Sequence, residues 1–221
     1  MRALILGASG GIGAALAARL ADQGARVTGL SRSGDGLDLT RADSVADHAA
    51  RLQGQDFDLI LNTTGALVID GRQPEKTLDA VDPDAMAAQF ALNATGVALA
   101  IRAFAPLLAR DRRAVMGSLS ARVGSIGDNQ LGGWIGYRAA KAAQNQIIRT
   151  AAIEYRRRNR YAILVALHPG TVQTPLTAKY AARHPTITPD RSAAALLEVV
   201  ARLRPEDTGS FWDWKGQPVP W

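Results

Sequence analysis

The sequence contains no cysteine, which excludes disulfides, thiolate metal ligands and cysteine nucleophiles. Its histidines, His48, His168 and His184, lie far apart without the spacing of a metal site, so we expect no bound metal. Long apolar runs are also lacking, and nothing approaches the roughly 20 residues that span a bilayer. The first apolar run passes directly into glycines, which favours a strand over a signal peptide. We therefore expect a cytoplasmic protein without a membrane partner.

Lysine is scarce too, because among 26 Lys and Arg residues only Lys76, Lys141, Lys179 and Lys215 are lysines. The net charge of +6 raises nucleic-acid binding as a possibility. The densest basic clusters, 110–113 and 156–160, fall where helices are expected to end, and cations there interact favourably with the helix dipole. No nucleic-acid motif accompanies them. We therefore expect no nucleic-acid partner.

What is present describes an ordinary globular chain of 221 residues, 47% of them apolar and 21% charged. This length can bury one large core, and the sequence shows neither an internal repeat nor a low-complexity linker. We expect a single domain over residues 1–221.

A glycine-rich loop follows the first apolar run. Residues 2–6 read as a strand, Gly7-Ala-Ser-Gly-Gly-Ile-Gly13 follows, and helix formers come next. Strand, glycine turn and helix together form the context in which such glycines bind a dinucleotide. Gly7 allows the tight turn, Gly11 lets the backbone approach a pyrophosphate, and Gly13 permits close packing of helix on strand. The helix N-terminus then faces the phosphates, beside Ser9 and Ile12.

A second pattern places Tyr137 four residues before Lys141 in a stretch rich in helix formers. Side chains four apart emerge from one helix face. A neighbouring ammonium stabilises a phenolate and lowers the pKa of the phenol, so the pair is a candidate general acid/base. Taken alone, the pattern also fits a helix with one buried aromatic residue and a solvated lysine.

The Gly-x3-Gly-x-Gly loop, the Tyr-x3-Lys pair and the motifs between them resemble the short-chain dehydrogenase/reductase family along nearly the whole chain. Residues 120–134 resemble its C-factor-like and sniffer-like carbonyl reductases. The resemblance implies an α/β doubly wound parallel sheet (Rossmann fold) with strand order 3-2-1-4-5-6-7. Strand 3 is expected to be vestigial and its preceding helix absent, because residues 33–40 are compressed. The implied activity is hydride transfer between a nicotinamide cofactor and a small alcohol or carbonyl.

The resemblance also assigns cofactor contacts. It places an adenine-pocket motif after the second strand, an Asn-Asn-Ala-Gly-like motif after the fourth and a Pro-Gly turn after the sixth. The corresponding residues are Asp38 and Leu39; Asn62, Thr63, Thr64 and Gly65; and Pro169, Gly170, Val172 and Thr174. Because the wall around Asp38 and Leu39 is short, we expect it to be thin and exposed.

The choice of cofactor follows from the end of the second strand. Family members that select NAD place an acidic residue there. Here the position is Ser31, followed by Arg32, with Ser9 and Ser33 nearby. A guanidinium pairs well with a phosphate monoester. We therefore expect NADP(H) to be preferred over NAD(H), although Arg32 also fits a solvated loop cation.

The resemblance implies four catalytic residues: Ser120, Tyr137, Lys141 and Asn93. It also counts Tyr137 and Lys141 among the cofactor contacts, with Lys141 holding the nicotinamide ribose. Ser120 would hydrogen-bond the substrate oxygen, with Ser118 as the second choice and Ser125 as the third, because Ser120 precedes Tyr137 by seventeen positions instead of the usual dozen. Asn93 would hold a local helix distortion and a water that links Lys141 to solvent. A polar residue on an exposed helix face is the alternative reading of Asn93.

Several further expectations concern surroundings and partners. Trp134 and Ile135 should border the substrate pocket, and residues 175–187 should form a short substrate lid. Helices over 82–109 and 134–158 suggest a homodimer, although Arg102, Arg138 and Arg149 on these helices also fit the solvated faces of a monomer. A nucleotide-binding signalling or interaction protein of the same fold is the alternative function, because the C-factor branch includes a cell-signalling assignment.

Overall fold

The computed structural model describes residues 1–174 and 186–221 as one layered α/β unit. Its strands are β1 (Arg2–Leu6), β2 (Arg26–Leu30), β3 (Leu59–Asn62), β4 (Ala114–Leu119), β5 (Ala162–His168) and β6 (Phe211–Asp213). Its helices are α1 (Gly11–Asp22), α2 (Arg32–Asp35), α3 (Ala42–Ala50), α4 (Pro83–Phe90), a π-helical turn (Ala91–Thr95), α5 (Gly96–Phe104), α6 (Ile135–Tyr155) and α7 (Pro189–Arg202).

The strands form one parallel sheet in the order β2-β1-β3-β4-β5-β6. This confirms the doubly wound topology. Within the described residues, the vestigial third strand is not formed at all. The carboxylate of Asp38 accepts hydrogen bonds from the backbone N–H and the hydroxyl of Thr40, and this turn leads directly into α3. The helix expected to be absent is present as the single turn α2. Because no strand forms in the described residues between α2 and α3, β2 lies at the edge of the sheet.

Two apolar layers cover the sheet, one on each face. Alternate residues of each inner strand point to opposite layers, so Leu4 and Leu6 pack toward α3, α5 and α6, whereas Ala3 and Ile5 pack toward α1 and α7. A sheet buried on both faces requires apolar residues at every strand position, which explains the unbroken runs in the sequence.

The long apolar stretch on one side of the sheet is the continuous helical run Pro83–Leu107. By length and composition alone it is apolar enough to cross a membrane. This corrects the expectation that no segment reaches that size. Half of its most apolar window is buried inside this fold, as expected of a core helix. Asp82 caps its start, with Pro83 at the first helical position.

Parallel strands place their carboxyl ends along one edge of the sheet. Gly7, Asn62 and Ser120 follow β1, β3 and β4 at that edge. The chain order reverses between β1 and β3, and open α/β sheets bind ligands outside the carboxyl ends of the strands at such a switch point.

Candidate active site

The glycine loop after β1 is packed too tightly to hold side chains. A Cβ on Gly13 would lie 2.2 Å from the Gly7 carbonyl oxygen and 2.7 Å from Thr63 Oγ1. Gly7 itself has a φ of +90°, which favours glycine. Helix α1 begins at Gly11 with no side-chain cap, so its first N–H groups point to the edge without an intrahelical partner. The loop geometry predicted from the sequence is confirmed.

The turn after β3 closes the floor of this cleft. Thr63 Oγ1 donates to the carbonyls of Leu6 and Gly7, at 2.9 and 3.2 Å. Asn62 Oδ1 accepts from the N–H and the hydroxyl of Thr64, so Asn62 braces the strand end as expected. The other amide atom, Asn62 Nδ2, is fully buried without a partner among the described residues. A buried donor of this kind calls for an external acceptor.

Asn93 lies in the π-helical turn Ala91–Thr95, which is the predicted helix distortion. Its side chain is 1% exposed, so the exposed-face alternative is wrong. Asn93 Nδ2 donates to the Ala66 carbonyl and to Gln89 Oε1, at 2.9 and 2.7 Å, and Oδ1 accepts from Ala66 N at 3.2 Å. These bonds tie the π-helical turn to the loop after β3.

Lys141 is buried beneath the same loop. A Cβ on Gly65 would meet Asn93 Oδ1 at 2.9 Å and Lys141 Nζ at 3.4 Å, so the three residues share one small space. Lys141 Nζ donates to the Leu119 carbonyl at 3.2 Å and to Gln144 Oε1 at 2.8 Å. Burial lowers the pKa of Lys141 to about 7. The solvated-lysine alternative is therefore wrong.

Tyr137 occupies the next turn of α6, with its ring centroid 5.8 Å from Lys141 Nζ. Among the described residues its hydroxyl has no hydrogen-bond partner, and unlike Asn62 Nδ2 it is not fully buried. Tyr137 is 7% exposed, so its hydroxyl lies near the surface of the buried site without a partner among the described residues. Burial of the ring raises the pKa of Tyr137, which corrects the expectation that the ammonium would lower it. In the chain alone, desolvation outweighs the cation.

The entrance to α6 borders Tyr137, and the placement of Trp134 and Ile135 beside a substrate stays a prediction. Trp134 packs edge-on against the tyrosine ring, with centroids 6.3 Å apart, and has the left-handed φ of 53° that a bulky residue rarely adopts. Glu75 holds this strained turn, because Glu75 Oε1 accepts from Gly136 N at 2.8 Å. A carboxylate is favourable at a helix N-terminus. Nothing in the local sequence around Glu75, within a stretch expected to be a surface loop, signals this long-range contact.

None of the three serine candidates in and after β4 forms a hydrogen bond with Tyr137 among the described residues. Ser120 Oγ, 4% exposed, donates to Asn145 Oδ1 at 2.6 Å. Ser125 Oγ accepts from Asp128 N at 3.1 Å. Ser118 is buried within β4, opposite Asn62. A Ser120 hydroxyl that donates to a substrate oxygen must first rotate away from Asn145.

The adenosine end differs from expectation in one respect. The sequence places no carboxylate at Ser31, but the single turn of α2 brings Asp35 back to it. Asp35 Oδ2 accepts from Ser31 N at 2.9 Å and lies 3.4 Å from Ser31 Oγ. Arg32 is exposed next to this carboxylate. The end of β2 therefore carries both a carboxylate, Asp35, and a guanidinium, Arg32. The sequence-based argument for NADP(H) considered only Arg32.

Beyond Arg32 the surface forms a polar depression of about 390 Å³, lined in part by Asp38 and Arg41. Leu39 is 2% exposed and packs on Gly96, so the expectation of an exposed wall is wrong for Leu39. It holds for Asp38, which lines the open polar depression. The two hydrogen bonds from Thr40 lower the pKa of Asp38, and the carboxylate stays charged.

The Pro-Gly turn after β5 completes the cleft. Thr174 lies against the glycine loop, since a Cβ on Gly11 would meet its methyl carbon at 3.1 Å. Gly170 has a φ of +83°, and Val172 is buried and forms a bridge with Ile187. Pro169 accepts a hydrogen bond from Ser192. Most of the expected lid, residues 175–185, lies outside the described residues.

Two functional neighbours were missed by sequence reasoning, namely Gln144 and Asn145. Both are buried on the inner face of α6, in contact with the candidate catalytic residues. Their signal is the helical spacing, because Gln144 lies seven residues after Tyr137 and three after Lys141. Two adjacent amides on the buried face of a helix require hydrogen-bond partners. The sequence alone could therefore have indicated that Gln144 and Asn145 contact the catalytic residues.

The arrangement fits a nicotinamide dinucleotide. The glycine loop keeps its backbone free of side chains at Gly7 and Gly13, the uncapped start of α1 offers N–H groups to phosphates, and Asn62 Nδ2 lacks an acceptor among the described residues. Lys141 Nζ and the Tyr137 hydroxyl lie at the other end of the same edge. The residues that would hold the dinucleotide extend from Arg32 at one end to Thr174 at the other.

Comparison with known proteins agrees with this geometry. Residues 36–185 match the family model described as short chain dehydrogenase. The 1-hydroxy-2-glutathionyl-2-methyl-3-butene dehydrogenase of Rhodococcus sp. (strain AD45) is 32% identical over 232 residues, which cover 99% of this chain and 98% of that protein. The C-signal protein of Myxococcus xanthus is 34% identical over 64% of this chain and 81% of its own.

Among solved structures, the NADPH-bound carbonyl reductase from chicken fatty liver superimposes with a TM-score of 0.84 at 25% identity, covering 100% of this chain and 98% of its own. A family match over most of the chain, a full-length relative and a common fold lead to one assignment. The chain belongs to the short-chain dehydrogenase family of oxidoreductases.

Proposed function

We propose that this protein is an NADP(H)-dependent oxidoreductase that interconverts a small alcohol and its carbonyl, acting in the cytoplasm. The observation that carries the proposal is the Tyr137 hydroxyl, which has no hydrogen-bond partner among the described residues and belongs to a residue one helical turn from the buried Lys141. Buried polar groups are normally paired, so such a phenol beside an ammonium suits proton transfer to a bound substrate.

Each of the four candidate residues then has a task. Tyr137 donates a proton to the substrate oxygen in reduction and accepts one in oxidation. Lys141 stabilises the phenolate that forms when Tyr137 gives up its proton. Asn93 fixes the loop that covers Lys141, and Ser120 binds the substrate oxygen once its hydroxyl has turned from Asn145. A bound nicotinamide cofactor supplies the hydride, and the protein contributes position and proton transfer.

The protonation states favour carbonyl reduction near neutral pH. Burial raises the pKa of Tyr137, so the phenol is protonated and ready to donate. Burial also lowers the pKa of Lys141 to about 7, so the ammonium is lost as pH rises through that value. Reduction should therefore be fastest below about pH 7 and decline above it, because the phenolate product loses its cation.

The test of the proposal is a substrate panel assayed with NADPH and NADH. It should contain aldehydes, ketones and quinones, together with thioether alcohols related to the substrate named for the Rhodococcus relative. We expect turnover of at least one carbonyl with NADPH. No turnover with any member of the panel, despite measurable NADPH binding, would contradict the enzymatic proposal.

A signalling or interaction role is the second candidate. It is supported by the similarity to C-signal of Myxococcus xanthus. A protein that only binds nucleotide has no use for such a phenol beside a buried ammonium, so the presence of both argues for the enzyme. Loss of the Tyr137 hydroxyl separates the two roles, because an interaction surface does not depend on it.

The cofactor preference is testable at the acid and base of the adenosine end. Arg32→Ala should weaken NADPH binding by about 1.5–3 kcal/mol, the range for a hydrogen bond to a charged group, with little effect on NADH. Asp35→Asn should act in the opposite direction, because it removes a carboxylate that repels a phosphate at Ser31. The measurement is the Kd of each cofactor by fluorescence titration. Equal losses of both cofactors in Arg32→Ala would contradict the phosphate role.

The oligomeric state remains a proposal, and we expect a homodimer through the helices at 82–109 and 134–158. Two of the three arginines that fit a solvated monomer face, Arg138 and Arg149, form hydrogen bonds within their own chain. Arg138 donates to the carbonyls of Gly133 and Val123, and Arg149 donates to that of Gly209. Light scattering at micromolar concentration should give twice the chain mass of 23.4 kDa. A monomer mass would contradict it.

A further inference from the structure

Among the described residues, Gln144 is the side chain that accepts a hydrogen bond from the Lys141 ammonium and also donates one to the carbonyl that Lys141 contacts. It is 0% exposed, so its amide has no access to water. Oε1 accepts from Lys141 Nζ at 2.8 Å, and Nε2 donates to the Leu119 carbonyl at 3.0 Å. Lys141 Nζ donates to that same carbonyl at 3.2 Å, which closes a three-membered ring of hydrogen bonds.

The ring leaves one direction free. An ammonium has three donors, and the Gln144 oxygen and the Leu119 carbonyl take two of them. Nζ lies 3.4 Å from the position of a Cβ on Gly65, in the loop after β3, and no described residue accepts its third N–H. The third N–H is therefore left for the cleft that holds Tyr137.

We propose that Gln144 is a positioning residue, which anchors the Lys141 ammonium at the Leu119 carbonyl and aims its remaining donor at the cofactor and the tyrosine. The inference rests on the proposed function for its catalytic meaning, but the anchoring itself is a property of the chain. A neutral amide suits this task because a carboxylate at the same place would cancel the charge that Tyr137 needs.

Among the residues that the structure describes, few other charges face Lys141. Tyr137, on its own helix, is the titratable group beside it. Arg122 belongs to the 3₁₀ turn Arg122–Gly124 packed against α6, but its guanidinium pairs with Asp128 and Asp213. The π-helical turn and the β3 loop contribute the neutral Asn93 and Gly65. His168 of β5 is neutral at physiological pH, since burial lowers its pKa to about 4.

The test measures the pKa of Lys141 by NMR in protein labelled at the lysine side chains. The chain has four lysines, so the Lys141 signal is assigned by its loss in a Lys141→Met variant. Gln144→Met, of similar length, removes the acceptor and should lower the pKa of Lys141 by about one to two units. Gln144→Glu introduces an anion and should raise it. The exposed Gln146 of the same helix provides the matched controls, Gln146→Met and Gln146→Glu, which should leave it unchanged.

Opposite shifts in the two Gln144 variants support the anchoring role. A pKa that stays at the parent value in Gln144→Met overturns it, even if that variant is less stable. If Gln144→Glu fails to fold, Gln144→Met alone still decides, and Gln144→Asn, whose shorter amide cannot span the same distance, should lower the pKa as well.

Activity provides a second readout. With a substrate found, the decline of carbonyl reduction with pH should begin about one unit lower in Gln144→Met than in the parent, with the KM for substrate little changed. A uniform loss at every pH overturns the positioning role. Because the NMR titration needs no turnover, failure of the proposed function leaves the anchoring test intact.

Discussion

Tyr137→Phe should reduce the rate of carbonyl reduction by about 10²–10⁴-fold, the range for a positioned general acid. The hydroxyl has no hydrogen-bond partner among the described residues, so its removal breaks no bond within them, and the ring still packs against Trp134. Unfolding free energy and NADPH affinity should therefore change little. The measurement is kcat for reduction beside the Kd for NADPH and a urea unfolding curve.

The matched control for this variant is Tyr161→Phe. Tyr161 also carries a hydroxyl with a nearby cation, since Arg160 donates to it, but it lies at the amino end of β5, away from the cleft. Its loss should leave kcat at the parent value. A Tyr137→Phe protein that binds NADPH normally and reduces the substrate at the parent rate would refute the acid role. If the parent turns over no carbonyl, and Tyr137→Phe restores the phenotype of cells lacking the protein as well as the parent does, the interaction role is favoured.

Elements encoded by local patterns were predicted well from the sequence. The glycine loop needs only a strand, a turn and a helix in succession, and its Gly13 lies where no other side chain fits. The sheet order follows from the resemblance and is observed, apart from the strand that residues 33–40 are too short to form. Asn93 was assigned to a helix distortion, and a π-helical turn lies there.

Features that depend on distant partners were not predicted. Asp35 reaches Ser31 only because α2 is a single turn, and the cap that Glu75 gives to α6 joins residues 61 positions apart. The pKa values of Tyr137 and Lys141 depend on how deeply the fold buries them, which spacing along a helix does not reveal. Local spacing brings the pair together, and tertiary packing sets their protonation.

The cost of the site is visible in the same residues. A protein chosen for stability alone would not bury an ammonium without a carboxylate, leave Asn62 Nδ2 unpaired or hold Trp134 in a left-handed conformation. These features cluster at the cleft. Strain and desolvation that concentrate where a ligand would bind are typical of a functional site, and they predict variants that gain stability as they lose activity.

Lys141→Met is the variant in which that exchange should be largest. The pKa of Lys141 is about 7 in the folded chain, below its ordinary value of 10.5. Between these values the unfolded state binds more protons than the folded state, so the unfolding free energy of the parent rises with pH across this window. Below about pH 7 the burial cost is present in full. Methionine removes it, and the difference between the two proteins should shrink as pH approaches 10.

The expected gain at neutral pH is the balance of two terms. The pKa shift corresponds to about 4–5 kcal/mol, and the acceptor left unpaired on Gln144 returns about 1–3 kcal/mol. We expect Lys141→Met to be more stable than the parent by roughly 1–4 kcal/mol at pH 7, and carbonyl reduction to fall by about 10²-fold or more because the phenolate loses its cation. Urea unfolding at pH 7 and 10 measures the first effect and kcat the second.

Lys76→Met, at an exposed lysine, is the control and should change neither. The stability gain of Lys141→Met over the parent should be larger at pH 7 than at pH 10. An equal gain at both values would show that burial of the ammonium does not lower the unfolding free energy. A Lys141→Met protein that retains the parent's kcat would show that Tyr137 does not need the ammonium.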